Sequence, residues 1–166
     1  MSFGRMKTSR MIPVHKVARE IPAVKREVLP AFYALSGCDT TSFLAGVGKK
    51  TYNKWAGHPE LTQTLSQIVS STDGVKPEHI AVIASFVVSV YSSTCPYTTV
   101  DKARQFVFSR TSRGFEYLPR AAQIQHIKRT VVQAGLVWGQ SLVPLQEKVN
   151  LKDWGWDLSD NGWVPY

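Results

Sequence analysis

The sequence predicts a mostly α-helical fold. Apolar residues recur at helical spacing in two long stretches, Ile80, Ile83, Val87 and Val90 in one and Ile124, Ile127, Val131, Ala134 and Trp138 in the other. Prolines and glycines fall where such stretches would start or stop, at Pro22, Gly37, Pro59 and Pro77. Hydrophobic residues are 43% of the 166, enough for one core of ordinary size, and charged residues are 19%, too few for a chain disordered over most of its length.

In chain order, residues 1–10 read as a polar, disordered tail, and Met11 to His15 as a short strand that Pro13 restricts to a sheet edge. A helix is expected over about 17–21. A second starts near Ala23, bends or restarts at Pro30, and ends at Gly37. After a loop, a short helix runs over 49–55, and Pro59 opens another that carries Leu61, Leu65, Ile68 and Val69. S-S-T-D-G is a turn. Pro77 opens the helix expected at the centre of the core, with a buried strand as the rival reading because of its β-branched content. Thr98 or Thr99 caps the next helix, with Asp101 in its first turn and Ala103, Phe106 and Val107 inside it. The longest helix spans 120–140. The tail, with Pro144, Trp154, Trp156 and Trp163, reads as loop.

The formal net charge is +8, and it is unevenly placed. Residues 1–60 hold ten Lys/Arg against four Asp/Glu, and 61–166 hold ten against eight. A basic first third suits a polyanionic partner, and equally a solvated surface. Cys38 and Cys95 are far apart, which excludes a cysteine-based zinc knuckle. No signal peptide opens the chain, and H-I-A-V-I-A-S-F-V-V-S-V-Y is too short to span a bilayer. These features point to an intracellular, reducing setting without a membrane. Both ends are abrupt, as in a fragment of a longer protein.

The stretch L-S-G-C-D-T-T-S-F-L-A-G-V-G-K-K, residues 35–50, concentrates the chemistry. Asp39 follows a glycine turn, where short backbone would hold a carboxylate in place. It is either the N-cap of a short helix over 40–44 or a hard-oxygen ligand for Mg²⁺ or Mn²⁺. In G-V-G-K-K, Gly46 and Gly48 leave backbone N–H groups unshielded before a basic helix start. Lys49, Lys50 and Lys54 stand at its rim, so the segment has the makings of a phosphate seat. It is not a P-loop: Phe43 stands at the first glycine position and Lys50 where Ser or Thr belongs.

The order of helix, L-S-G-C-D, then G-V-G-K-K resembles the C-terminal part of the catalytic domain of the flap endonuclease family, a branch of the PIN-like nucleases. The resemblance covers about residues 11–56. It implies a fold that is the C-terminal part of an α/β PIN-like nuclease domain with a helical extension: 1–10 tail, 11–60 nuclease part with a helix-hairpin-helix-like glycine hairpin, 61–140 helical extension, 141–166 Trp-rich tail. It also implies Asp39 as a catalytic acid and metal ligand in a two-metal, structure-selective phosphodiester hydrolase, with Mg²⁺ or Mn²⁺ bound only if further acids stand upstream in the intact protein. Gly46, Gly48, Lys49 and Lys50 would hold DNA through its phosphate backbone, in the nucleus rather than the cytoplasm. The chain departs from the family pattern in placing Lys49 at its proline and Thr40 at its tyrosine. Across about residues 11–166, A-L-S-G-C-D-T-T-S, G-K-K-T, Q-A-G-L-V-W and the W-G-W and G-W-V-P tail also resemble a group of animal proteins, a likeness that carries no activity with it.

A two-metal centre needs several carboxylates, yet Glu20 and Glu27 are the only acids ahead of Asp39. The chain by itself is therefore expected to be inactive, its missing ligands belonging to an N-terminal part of the same protein. The alternatives are a non-catalytic helical DNA-binding module and a structural or protein-interaction fragment. Cys38 is expected to be a buried structural thiol rather than a nucleophile, and His79 and His126 solvent-side helix residues. Lys128 and Arg129, on the polar side of the longest helix and preceded by Lys102, Arg104, Arg110, Arg113 and Arg120, are a second candidate phosphate contact. The tryptophans of the tail suit packing onto the core better than base stacking.

Overall fold

The computed structural model describes residues 2–3, 10–38, 41, 44, 51–70, 75–110, 123–141, 144–145, 150–154, 156–160 and 162–165. The fold is mostly α-helical. Helices α1 (Val14–Glu20), α2 (Ala23–Leu35), α3 (Tyr52–Trp55), α4 (Pro59–Ser70), α5 (Pro77–Tyr91), α6 (Val100–Arg110) and α7 (Gln123–Val131) follow in order. A π-helical segment, Val132–Trp138, continues α7, and a 3₁₀ turn, Leu151–Trp154, precedes the last strands. Among the described residues two small antiparallel sheets are present, β1 (Ser2–Phe3) with β2 (Arg10–Met11) and β3 (Trp156–Ser159) with β4 (Gly162–Pro165). Among the described residues no helix is long and apolar enough to cross a membrane.

Several local signals act as expected. Pro59 and Pro77 stand at the first positions of α4 and α5, where a missing N–H costs no helical bond. Gly37 has φ 104° and closes α2, a conformation in which a Cβ is strained. Other expectations are corrected. The strand foreseen over Met11 to His15 is only β2, and Val14 already begins α1. Of the bend or restart expected at Pro30, the restart does not occur, for α2 is one helix from Ala23 to Leu35. Pro30 is exposed, so its ring meets solvent, while Val28, Ala31, Phe32, Ala34 and Leu35 are buried and hold the helix together by packing. The tail contains a hairpin in register from Trp156↔Pro165 to Ser159↔Gly162.

The core gathers α2, α4, α5, α7 and the π segment, with α2 against α4 and α7, and α4 against α5. At its centre Trp55 is fully buried and stacks on Phe32, ring centroids 4.2 Å apart and planes 6° from parallel. Phe86 meets Phe32 edge-on at 5.9 Å, and the Trp55 indole N–H donates to Thr62 Oγ1 at 2.9 Å. A large ring with its one polar atom satisfied can be buried completely. A satellite cluster of Ala84, Val88, Val100 and Ala103 attaches α6 to α5. Burial beside it pushes the Tyr91 phenol up to about 12.

The longest predicted helix is not α-helical throughout. Over Val132–Trp138 it widens to π geometry, with Gly139 N–H bonding Ala134 O at 3.1 Å. Gly135 lies against α4 here: a Cβ on it would stand 3.4 Å from the Val69 carbonyl oxygen. Val131, Val132 and Ala134 are buried at this stretch.

Truncating Trp55 to Ala is expected to cost about 3–5 kcal/mol in urea unfolding, and Trp55→Phe, which keeps a ring but loses the bond to Thr62, about 1–3 kcal/mol. A loss below about 1 kcal/mol for the alanine variant would remove Trp55 from the centre of the core.

Candidate nucleic-acid interface

The segment with the most chemistry begins where α2 ends. Leu35 and Ser36 are buried, so the last carbonyls of the helix must find donors inside the protein. The Ser36 N–H serves Phe32 O at 3.0 Å, and the Ser36 hydroxyl serves Tyr33 O at 3.0 Å. Ala34 O accepts from Gly37 N–H at 3.0 Å and from Thr41 Oγ1 at 2.7 Å. Leu35 O accepts from His126 Nε2 at 2.8 Å. Ser36, Gly37 and Thr41 of the S-G-C-D-T-T motif are thus capping groups.

Cys38 and Thr41 form an antiparallel bridge, with Cys38 N–H to Thr41 O at 3.2 Å and Thr41 N–H to Cys38 O at 3.3 Å. Thr41 Oγ1 also accepts from Cys38 N–H at 3.1 Å and lies 3.2 Å from Cys38 Sγ. Because that hydroxyl gives its proton to Ala34, the thiol is the donor to it. Cys38 is half-buried and, like Cys95, outside any disulfide. Asp39 lies outside the described residues. The helix that it was expected to cap is absent at the described positions of 40–44: Thr41 is in the bridge and Leu44 is in no helix. The bonds that Thr41 makes to Cys38 and Ala34 compete with a helical turn there.

Gly46, Gly48, Lys49 and Lys50 also lie outside the described residues. Both flanks of their segment are anchored, for Leu44 and Thr51 are buried. Beyond it, Lys54 is exposed on α3. The sequence reading missed Lys25, whose ammonium stands 4.9 Å from the Trp55 ring centroid and 6.0 Å from that of Tyr52. Its signal was the seven-residue spacing to Phe32, which puts both on one side of α2.

Lys128 and Arg129 do not share that neighbourhood by any described contact. Both are half-buried on α7, and the Arg129 guanidinium lies 5.9 Å from the Trp156 ring centroid, so Trp156 packs back onto this helix. His126 is not the solvent-side residue expected, because its ring reaches across to α2. His79 is buried, its Nδ1 accepting the Lys76 N–H at 3.2 Å at the start of α5.

Among the described residues no group of three His, Cys, Asp or Glu side chains could hold a metal ion. Glu20 and Glu27 are exposed on α1 and α2. The described acids therefore do not fit a two-metal centre. A scan against protein-family models, a search of curated proteins and a search of solved structures each find no match.

Burial of the ring holds the His126 pKa below the ordinary 6.5; the bond to Leu35 opposes this, and the Arg129 charge adds to the lowering. With the folded-state pKa lowered, the unfolded chain takes up the proton first as pH falls. The stability contributed is complete above about pH 6.5 and is lost as pH falls through that value toward the lowered pKa. Urea midpoints measured from about pH 8 to about pH 5 should decline, and His126→Gln, whose amide can still donate to Leu35 O, should decline less steeply. Superimposable pH profiles for the two proteins would exclude His126 as the source.

Proposed function

We propose that this chain is a helical module that holds DNA by its phosphate backbone and does not hydrolyse it alone. The observation that carries this reading is the anchoring of the residues that flank both motif segments. The Cys38–Thr41 bridge brackets Asp39 and Thr40, and the buried Leu44 and Thr51 bracket the segment with Gly46, Gly48, Lys49 and Lys50. Short segments with fixed ends lose little further entropy on meeting a ligand. Lys25 and Lys54 stand at the far end beside Trp55 and α3, and the first sixty residues carry the larger share of the +8 charge. The likeness of L-S-G-C-D and G-V-G-K-K to flap endonuclease-like, PIN-like nucleases supports the same reading, and DNA as the partner would set its work in the nucleus.

A catalytic reading makes Asp39 a ligand to Mg²⁺ or Mn²⁺ in a nuclease of that class. The bridge at its flanks favours it. The acids described in this chain do not complete such a centre, so no hydrolytic step is assigned to it, and the remaining ligands would have to come from a longer protein.

Pure protein incubated with flap, nicked and single-stranded DNA in Mg²⁺ or Mn²⁺ should show no cleavage. Turnover that disappears in Asp39→Ala would overturn this expectation and establish a complete site.

Binding to duplex DNA should be weak and salt-sensitive, with slight sequence preference, because backbone contacts carry no base code. Replacing Lys49 and Lys50 together with Ala removes up to two phosphate contacts and should lower the logarithmic salt slope by roughly two. Fluorescence anisotropy across a salt series reads this, with circular dichroism checking the fold. Unchanged slope and affinity would return G-V-G-K-K to a plain turn.

A further inference from the structure

Among the described residues, helix α6 packs through one face against α5. Val100 and Ala103 are buried and Val107 is half-buried against Ala84, Val88, Tyr91 and Cys95. Lys102, Gln105, Phe106 and Ser109 occupy the other flank, since they fall about half a turn from that stripe. Together with Tyr97, from the segment before the helix, they line a cleft of about 440 Å³ that is open to solvent.

The cleft has a definite chemistry. Tyr97 and Phe106 meet edge to face, centroids 5.9 Å apart and planes at 74°, and form a corner. The Arg110 guanidinium lies over Phe106 at 4.2 Å from its centroid. Tyr97 keeps 43% of its surface exposed. Lys102 makes no ion pair among the described residues. The Ser109 hydroxyl donates to Phe106 O at 2.8 Å, which leaves its lone pairs to accept a bond from a ligand. Gln105 offers both a donor and an acceptor. Two positive charges argue against a cationic ligand, and the polar rim argues against a purely apolar one. An aromatic wall beside cations suits a planar base carrying a phosphate. The opening to solvent suits a continuous strand, because a free nucleotide gains most of its affinity from enclosure.

We infer that this cleft binds single-stranded nucleic acid, stacking one base against Tyr97 with an adjacent phosphate beside Lys102. The cleft's lining residues belong to α6 and the segment before it, and the inference does not depend on the glycine segment binding duplex.

The test uses the full chain carrying Lys49→Ala and Lys50→Ala as the parent, so that the other proposed contact is removed. Anisotropy is read with a labelled oligothymidylate of roughly 16 nucleotides and with an abasic strand of equal length. Tyr97→Ala should weaken oligothymidylate binding by about 5- to 100-fold, and Tyr97→Phe should bind like the parent. On the abasic strand, parent and Tyr97→Ala should be equal, because no base is there to stack. Matching thermal melts would show that each variant is folded. Equal affinity of parent and Tyr97→Ala for oligothymidylate, or an equal loss on the abasic strand, overturns the inference. Competition by thymidine monophosphate near the strand's own Kd overturns it in favour of a free-nucleotide pocket. Failure of the glycine-segment reading shows separately, as an unchanged duplex salt slope for the Lys49 and Lys50 variant.

Discussion

A helix that ends inside a protein leaves carbonyl groups that water cannot reach, and α2 ends in that way. Each such group left unpaired would cost about 1–3 kcal/mol. The donors come from three distances along the chain: from Ser36 and Gly37 at once, from Thr41 across the next turn, and from His126 after 91 residues. This set of bonds joins the motif-bearing loop to α7. It also explains why a histidine on a basic helix is turned inward. Its ring serves Leu35 through Nε2, and burial shifts the ring toward its neutral form.

With the end of α2 held, Phe32 becomes a fixed platform for Trp55. Helix α3 has only four residues and would not persist on its own. The stack on Phe32 and the indole bond to Thr62 hold it in place. The same packing holds α3, which follows the buried Thr51, and brings Lys25 beside its rings. Structure and charge are coupled here: the residues that bury the core also determine where cations stand.

The periphery is built more lightly. Helix α6 rests on a small satellite cluster, and the β3–β4 hairpin is a two-stranded unit of a kind that is marginal in isolation. The hairpin leans on α7 where Trp156 meets Arg129. Helix α6 keeps a polar and aromatic flank outside the satellite cluster, while α4 and α5 bury their apolar faces in the main core.

What the sequence by itself determined is local. The starts of α4 and α5 at Pro59 and Pro77, the stop at Gly37, and the apolar stripes of α5 and α7 follow from backbone preferences and helical periodicity, which need no distant partner. The likeness of the motif is likewise a sequence property; Asp39, Gly46, Gly48, Lys49 and Lys50 lie outside the described residues, and the structure adds the anchored flanks on either side. Only the tertiary structure decided that Trp55 is central, that His79 is buried and the half-buried His126 reaches across to α2, that α2 does not restart at Pro30, and that the helix after α7 widens where Gly135 meets Val69. The tail read as loop from its sequence, and the structure shows the β3–β4 hairpin there. The physical reason is common to the other corrections. Whether a Trp, a His or a Pro is tolerated at a position depends on which group from another part of the chain stacks on it, accepts its proton or leaves it in water, and sequence spacing within one helix does not contain that information.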